Sequence, residues 1–107
     1  MADDRDALAQ LHAVSSRDLP HEISHYLYFP TELAARDAGS ELRSLGFGAT
    51  EDASTDGINW LVLAEHQATP SAATIQSTRQ LMEAIARRRG GSYDGWEAQV
   101  VHPSGKT

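Results

Sequence analysis

The 107 residues include no cysteine. That excludes a disulfide framework, a thiolate zinc site and a cysteine nucleophile, and leaves stability to packing. Positive charge is also scarce: nine Lys and Arg stand against 15 Asp and Glu, for a formal net charge of -6. Such a field repels polyphosphates and favours a basic partner, so direct nucleic-acid binding is a poor fit. No apolar window approaches the length needed to span a bilayer, which speaks against a membrane role. The opening Met1-Ala2-Asp3-Asp4-Arg5-Asp6 is acidic where a secretory leader would be basic and then apolar. The expected location is cytoplasmic.

Hydrophobic residues make up 40% and charged residues 22%, an ordinary globular composition, and the length allows a single core. Residues Asp4 to Val14 place Leu8, Leu11 and Val14 at helical spacing, with acids at the front where the helix dipole favours them. Ser15 to Pro20 reads as a connector. From His21 to Phe29 the chain alternates, with Ile23, His25, Leu27 and Phe29 on one face and Glu22, Ser24, Tyr26 and Tyr28 on the other, the pattern of a strand. After Pro30, Thr31 is a good N-cap. Ala34, Ala38, Leu42 and Leu45 then predict an amphipathic helix over Thr31 to Leu45, stopped by Gly46.

Phe47 to Glu51 is a weaker strand, and the polar run Asp52 to Gly57 ends in a turn signal. The nearly continuous apolar run Ile58 to Glu65 predicts a central strand buried on both faces. A second long helix begins with Thr69 as cap and Pro70 in the first helical position. It buries Ile75, Met82, Ile85 and Ala86 and ends at Arg87-Arg88-Arg89-Gly90-Gly91. Ser92-Tyr93-Asp94-Gly95-Trp96-Glu97 then reads as an Asp-Gly turn between two aromatics, leading into a last strand from Trp96 to Val101. His102 to Thr107 reads as a frayed tail.

The order helix, strand, helix, strand, strand, helix, strand predicts an α+β, ferredoxin-like βαββαβ fold. It would have a four-stranded antiparallel sheet, two helices on one face and a short N-terminal helix. The division is 1–20 for the N-terminal helix and connector, 21–102 for the ferredoxin-like regulatory domain and 103–107 for the tail. The other sheet face is left open, as a partner surface or the interface of a homodimer.

Sites of chemistry are sparse. His21 and His25 share one side of a strand but lie about 13 Å apart at ~3.3 Å per residue, too far to hold one ion, and His66 or His102 would have to complete a set. No metal or other cofactor is expected. The triple arginine fits a solvated helix end better than a phosphate site. Tyr26, Tyr28 and Trp60 suggest base stacking, yet Glu22 to Phe29 and Ile58 to Glu65 contain no Lys or Arg to hold phosphate. No nucleophile elbow, P-loop or dinucleotide fingerprint occurs, so the expectation is a protein that is not an enzyme; a general acid-base role for Asp94 or Glu97 stays open.

His25-Tyr26-Leu27-Tyr28-Phe29-Pro30, the Leu45-Gly46-Phe47 helix exit and above all Gly91-Ser92-Tyr93-Asp94-Gly95-Trp96 resemble the family called regulator of ribonuclease E activity B (RraB), over approximately His21 to Val101. The resemblance implies a ferredoxin-like fold and inhibition of ribonuclease E by protein contact, without chemistry, in the control of messenger RNA decay. Tyr93, Asp94, Gly95, Trp96, Tyr26 and Tyr28 are the residues expected to make up the interaction surface or to serve the fold. The alternative expectation is a dimeric small-molecule-binding or sensor module using the open sheet face.

Overall fold

The computed structural model describes residues 4–15 and 19–100. Part of the expected connector, Val101, His102 and the expected tail lie outside the described residues. The elements run α1 (Asp4–Val14), β1 (His21–Phe29), α2 (Glu32–Ser44), β2 (Gly48–Ala53), β3 (Trp60–Ala68), α3 (Ala72–Arg88) and β4 (Ser92–Ala98). They form a mixed α+β structure with one four-stranded antiparallel sheet in the order β2-β3-β1-β4 and three helices.

β1 follows its alternation residue by residue. His21, Ile23, His25, Leu27 and Phe29 are buried, and the residues between them are half-buried. Leu27 and Phe29 pack with Ala35, Ala38 and Leu42 of α2 and Met82, Ile85 and Ala86 of α3. Leu8 of α1 joins Ile23 and Ile75 in a smaller cluster. All three helices therefore pack on one side of the sheet.

Thr31 caps α2 as the sequence predicts, its hydroxyl accepting the Ala34 N–H at 3.1 Å. The helix buries Ala35, Ala38, Gly39 and Leu42, whereas Leu45 is 51% exposed at its end. Gly46 has φ +97°, the left-handed conformation that lets the chain leave the helix.

Several expectations are corrected. Ser71, not Thr69, caps α3, its hydroxyl accepting the Thr74 N–H at 3.1 Å. Pro70 lies before the cap rather than inside the helix, buried, with its carbonyl accepting His12 Nε2 at 2.8 Å. β3 begins at Trp60, because Asp56 Oδ1 accepts the backbone N–H groups of Ile58 and Asn59 and extends the hairpin loop. Ile58 is consequently 76% exposed. β3 is central in the sheet but buried on one face only: Val62 and Ala64 are buried, Leu61 and Leu63 half-buried.

A further correction concerns the Asp-Gly pair, which is not a turn before the last strand. β4 already begins at Ser92, and its pairing with β1 steps from Tyr26↔Gly95 to Leu27↔Tyr93. Asp94 is the extra residue of a β-bulge, and Gly95, at φ +121°, supplies the backbone conformation the bulge needs. The strand ends at Ala98 rather than Val101.

Candidate functional site

Strand register sorts the aromatic residues onto two different faces. On the helix-covered face, Phe29 pairs with Trp60, Leu27 lies between Val62 and Tyr93, and His25 between Ala64 and Trp96. On the opposite face the rows are Asp52-Leu61-Tyr28-Ser92, Thr50-Leu63-Tyr26-Gly95 and Gly48-Glu65-Ser24-Glu97, with Glu22 beside Gln67 beyond them. Tyr26, Tyr28 and Trp60 therefore make no common stacking platform. Trp60 packs against the core on the other side of the sheet.

The uncovered face presents a two-by-two block of half-buried side chains, Tyr26, Tyr28, Leu61 and Leu63. No described helix packs over it. One border of the block is acidic and hydrogen-bonded: the Tyr26 hydroxyl donates to Glu97, and Ser24 Oγ donates to Glu65 at 3.4 Å. Accepting that bond, the Glu97 carboxylate pushes the Tyr26 phenol up to about 12, with burial as a smaller cause.

Tyr93 and Trp96 of the Tyr-Asp-Gly-Trp motif serve the interior instead. Tyr93 packs against the main core, and its hydroxyl is hydrogen-bonded to His25 Nδ1 at 3.0 Å. Burial holds the Tyr93 phenol above its ordinary range. Trp96 packs on the cluster of Leu8, Ile23 and Ile75, and its Nε1–H donates to Asp4 Oδ1 at 3.2 Å. Asp4 also takes a two-pronged ion pair from Arg79, at 2.5 and 2.7 Å, which holds its carboxyl below the usual carboxylate range. The Arg79 guanidinium in turn lies 5.3 Å from the centre of the Tyr93 ring. The bulge thus lets Tyr93 and Trp96 both face inward, and together they anchor the first turn of α1. A cleft of about 220 Å³ remains between that turn and Asp94.

Sequence spacing missed the contact between His25 and His66. Their Nε2 atoms are 3.2 Å apart, although the residues lie 41 positions apart in the chain. Phe47 stacks on His66 with ring centres 4.7 Å apart. Burial, and then the neighbouring His66, lower the His25 imidazole to about 4. Both ring nitrogens of His25 are occupied and the residue is 1% exposed, so it offers no free nitrogen to a solute. His21 is used up as well: its Nδ1–H donates to the Leu19 carbonyl at 2.8 Å, and Nε2 accepts from Ser15 at 2.6 Å. Among the described residues no group of three or more His, Asp or Glu is placed to hold a metal ion.

Two of the three arginines at the end of α3 are paired rather than free to bind phosphate. Arg88 and Arg89 both bond to Glu41 of α2, Arg89 at 2.8 Å. These pairs tie the end of α3 to α2. Among the described residues no helix is long and apolar enough to cross a membrane.

Comparison with known proteins agrees with the motif. No curated protein matches the chain. The family model described as regulator of ribonuclease activity B (RraB) matches residues 1–98, a span that includes α1 as well as the whole sheet. The chain belongs to the RraB family, whose members are described as regulators of ribonuclease activity.

Proposed function

We propose that this protein regulates a ribonuclease by binding it, without chemistry of its own, and that the partner is ribonuclease E in the cytoplasm. Family membership supports the regulatory part of this reading. The observation that carries the contact mechanism is the uncovered block of Tyr26, Tyr28, Leu61 and Leu63. A contiguous apolar and aromatic patch on the centre of a sheet is the kind of surface that anchors a protein partner. The fold is read as ferredoxin-like: in each strand-helix-strand unit, β1-α2-β2 and β3-α3-β4, the two parallel strands are separated by one antiparallel strand.

In this reading Tyr26 and Tyr28 make the contact, and Tyr93, Asp94, Gly95 and Trp96 serve the fold. Purified protein and ribonuclease E, mixed and run on size exclusion with light scattering, should form a complex. The double variant Tyr28→Ser/Leu63→Ser should lose that complex while keeping its circular dichroism. No complex with the wild type, or an unchanged complex with the folded variant, would contradict the proposal.

A further inference from the structure

His25 and His66 bring two metal-ligating nitrogens together on the helix-covered side of the sheet. His25 pairs with Ala64 across β1 and β3, so His66, two residues further along β3, is its diagonal neighbour on the same face. Their Nε2 atoms are 3.2 Å apart. Each satisfies the other, so an ion can enter only by taking the place of the proton they share.

The separation selects a geometry. Two histidine nitrogens at about 2.0–2.1 Å from a tetrahedral ion lie about 3.3 Å from each other, whereas neighbouring positions of a square-planar or octahedral ion lie about 2.9 Å apart. The observed distance is nearer the tetrahedral value. The rings also meet at a tilt, with planes at 43° and centres 5.1 Å apart, closer than a head-on approach of the two nitrogens would leave them. Their lone pairs are therefore angled off the line between the atoms, as chelation of one ion requires.

The far side of His25 is held as the rings of metal-bound histidines are held. Its Nδ1 is bonded to the Tyr93 hydroxyl at 3.0 Å, and the Arg79 guanidinium lies 5.3 Å from the centre of the Tyr93 ring. With Nδ1–H donated to Tyr93, the Nε2 lone pair of His25 is left for the ion. His66 keeps its ring proton by carrying it on Nδ1 instead of Nε2, so both imidazoles stay neutral and no proton is lost on binding. Phe47 closes the apolar side, its ring centre 4.7 Å from that of His66 and 6.4 Å from that of His25. His25 is buried and His66 half-buried, so the way in for an ion, and for the water that completes its coordination, is past His66.

We propose that His25 and His66 form a two-histidine site for a tetrahedral zinc ion, with water in the two remaining positions. The ion clips β1 to β3 and stabilises the folded chain in step with the zinc present.

Isothermal titration with zinc chloride at pH 7.5 tests the site. It should show one ion bound per chain, and the melting temperature should rise with zinc concentration. His66→Gln should weaken binding at least tenfold. His12→Gln should bind as the wild type does, because the His12 imidazole is bonded to the Pro70 carbonyl and not to the pair. Imidazole nitrogen shifts in the wild type require no variant to fold, and zinc should move those of Nε2 in both His25 and His66. Co2+ in place of zinc should give the strong visible absorption of a tetrahedral ion. No binding of zinc by the wild type, unchanged affinity in folded His66→Gln, shifts confined to other histidines, or the weak absorption of octahedral cobalt would overturn the assignment.

Discussion

His25 and His66 share a hydrogen bond between their Nε2 atoms, 3.2 Å apart, on the covered side of the sheet. One ring must donate and the other accept, so the bond stands only while one Nε2 carries a proton and the other does not. Protonating both would bring two cations together beneath Phe47 and break the bond.

A pH dependence of stability follows. The His25 imidazole is lowered from 6.5 to about 4 in the folded protein, so the unfolded chain takes up its proton first as pH falls. Stability from this group is fully present above pH 6.5 and is lost progressively between there and pH 4, by about 3 kcal/mol at most. Urea melts at pH 7.5 and pH 4.5 should show the loss, and His25→Gln should flatten it. Equal midpoints for the wild type at the two pH values would contradict the account.

Trp96→Ala should destabilise the whole protein by about 3 kcal/mol, since it removes a large ring from the Leu8, Ile23 and Ile75 cluster. Tyr28→Ala, on the uncovered face, should cost much less. Thermal melts of the two variants check the division of the aromatics between fold and surface.

Asp4→Asn should loosen α1 selectively, because Asp4 joins it to both Arg79 and Trp96. The ion pair is only partly buried, with side chains 29% and 25% exposed, so the expected cost is about 1 kcal/mol. Amide exchange in α1 should speed up while exchange in β1 and β3 stays slow. Uniform acceleration throughout the chain would argue against a local anchor.

Gly91→Ala should cost about 3 kcal/mol, because a Cβ there would overlap the Tyr28 carbonyl oxygen and the Phe29 ring, neither of which can move away. Gly39→Ala should cost less, since the group it would meet is the flexible end of Glu51. Denaturant midpoints of the two variants give the order directly.

What the sequence made legible was what local rules decide. The nine residues of β1 alternate without a break, and Thr31 precedes a helical stripe, so both elements are visible from spacing. Thr69 before Pro70 reads as a cap by composition, yet Ser71 takes that role, with Pro70 buried ahead of the helix and bonded to His12 of α1. The Asp94-Gly95 pair is a turn signal by composition, and only its register against Tyr26 and Leu27 makes it a bulge. The His25–His66 bond depends on the same kind of long-range register between β1 and β3. Tyr26 and Tyr28 could be placed on the outer face from alternation, but their acidic neighbours come from β3 and β4 and needed the sheet order.

The most direct measurement is the rate at which ribonuclease E cleaves an RNA substrate in the presence of the wild type and of folded Tyr28→Ser/Leu63→Ser. Docking through the uncovered sheet face predicts that the wild type slows cleavage in a dose-dependent manner and that the variant does not. Equal inhibition by both proteins, or no inhibition by the wild type at saturating concentration, would contradict it.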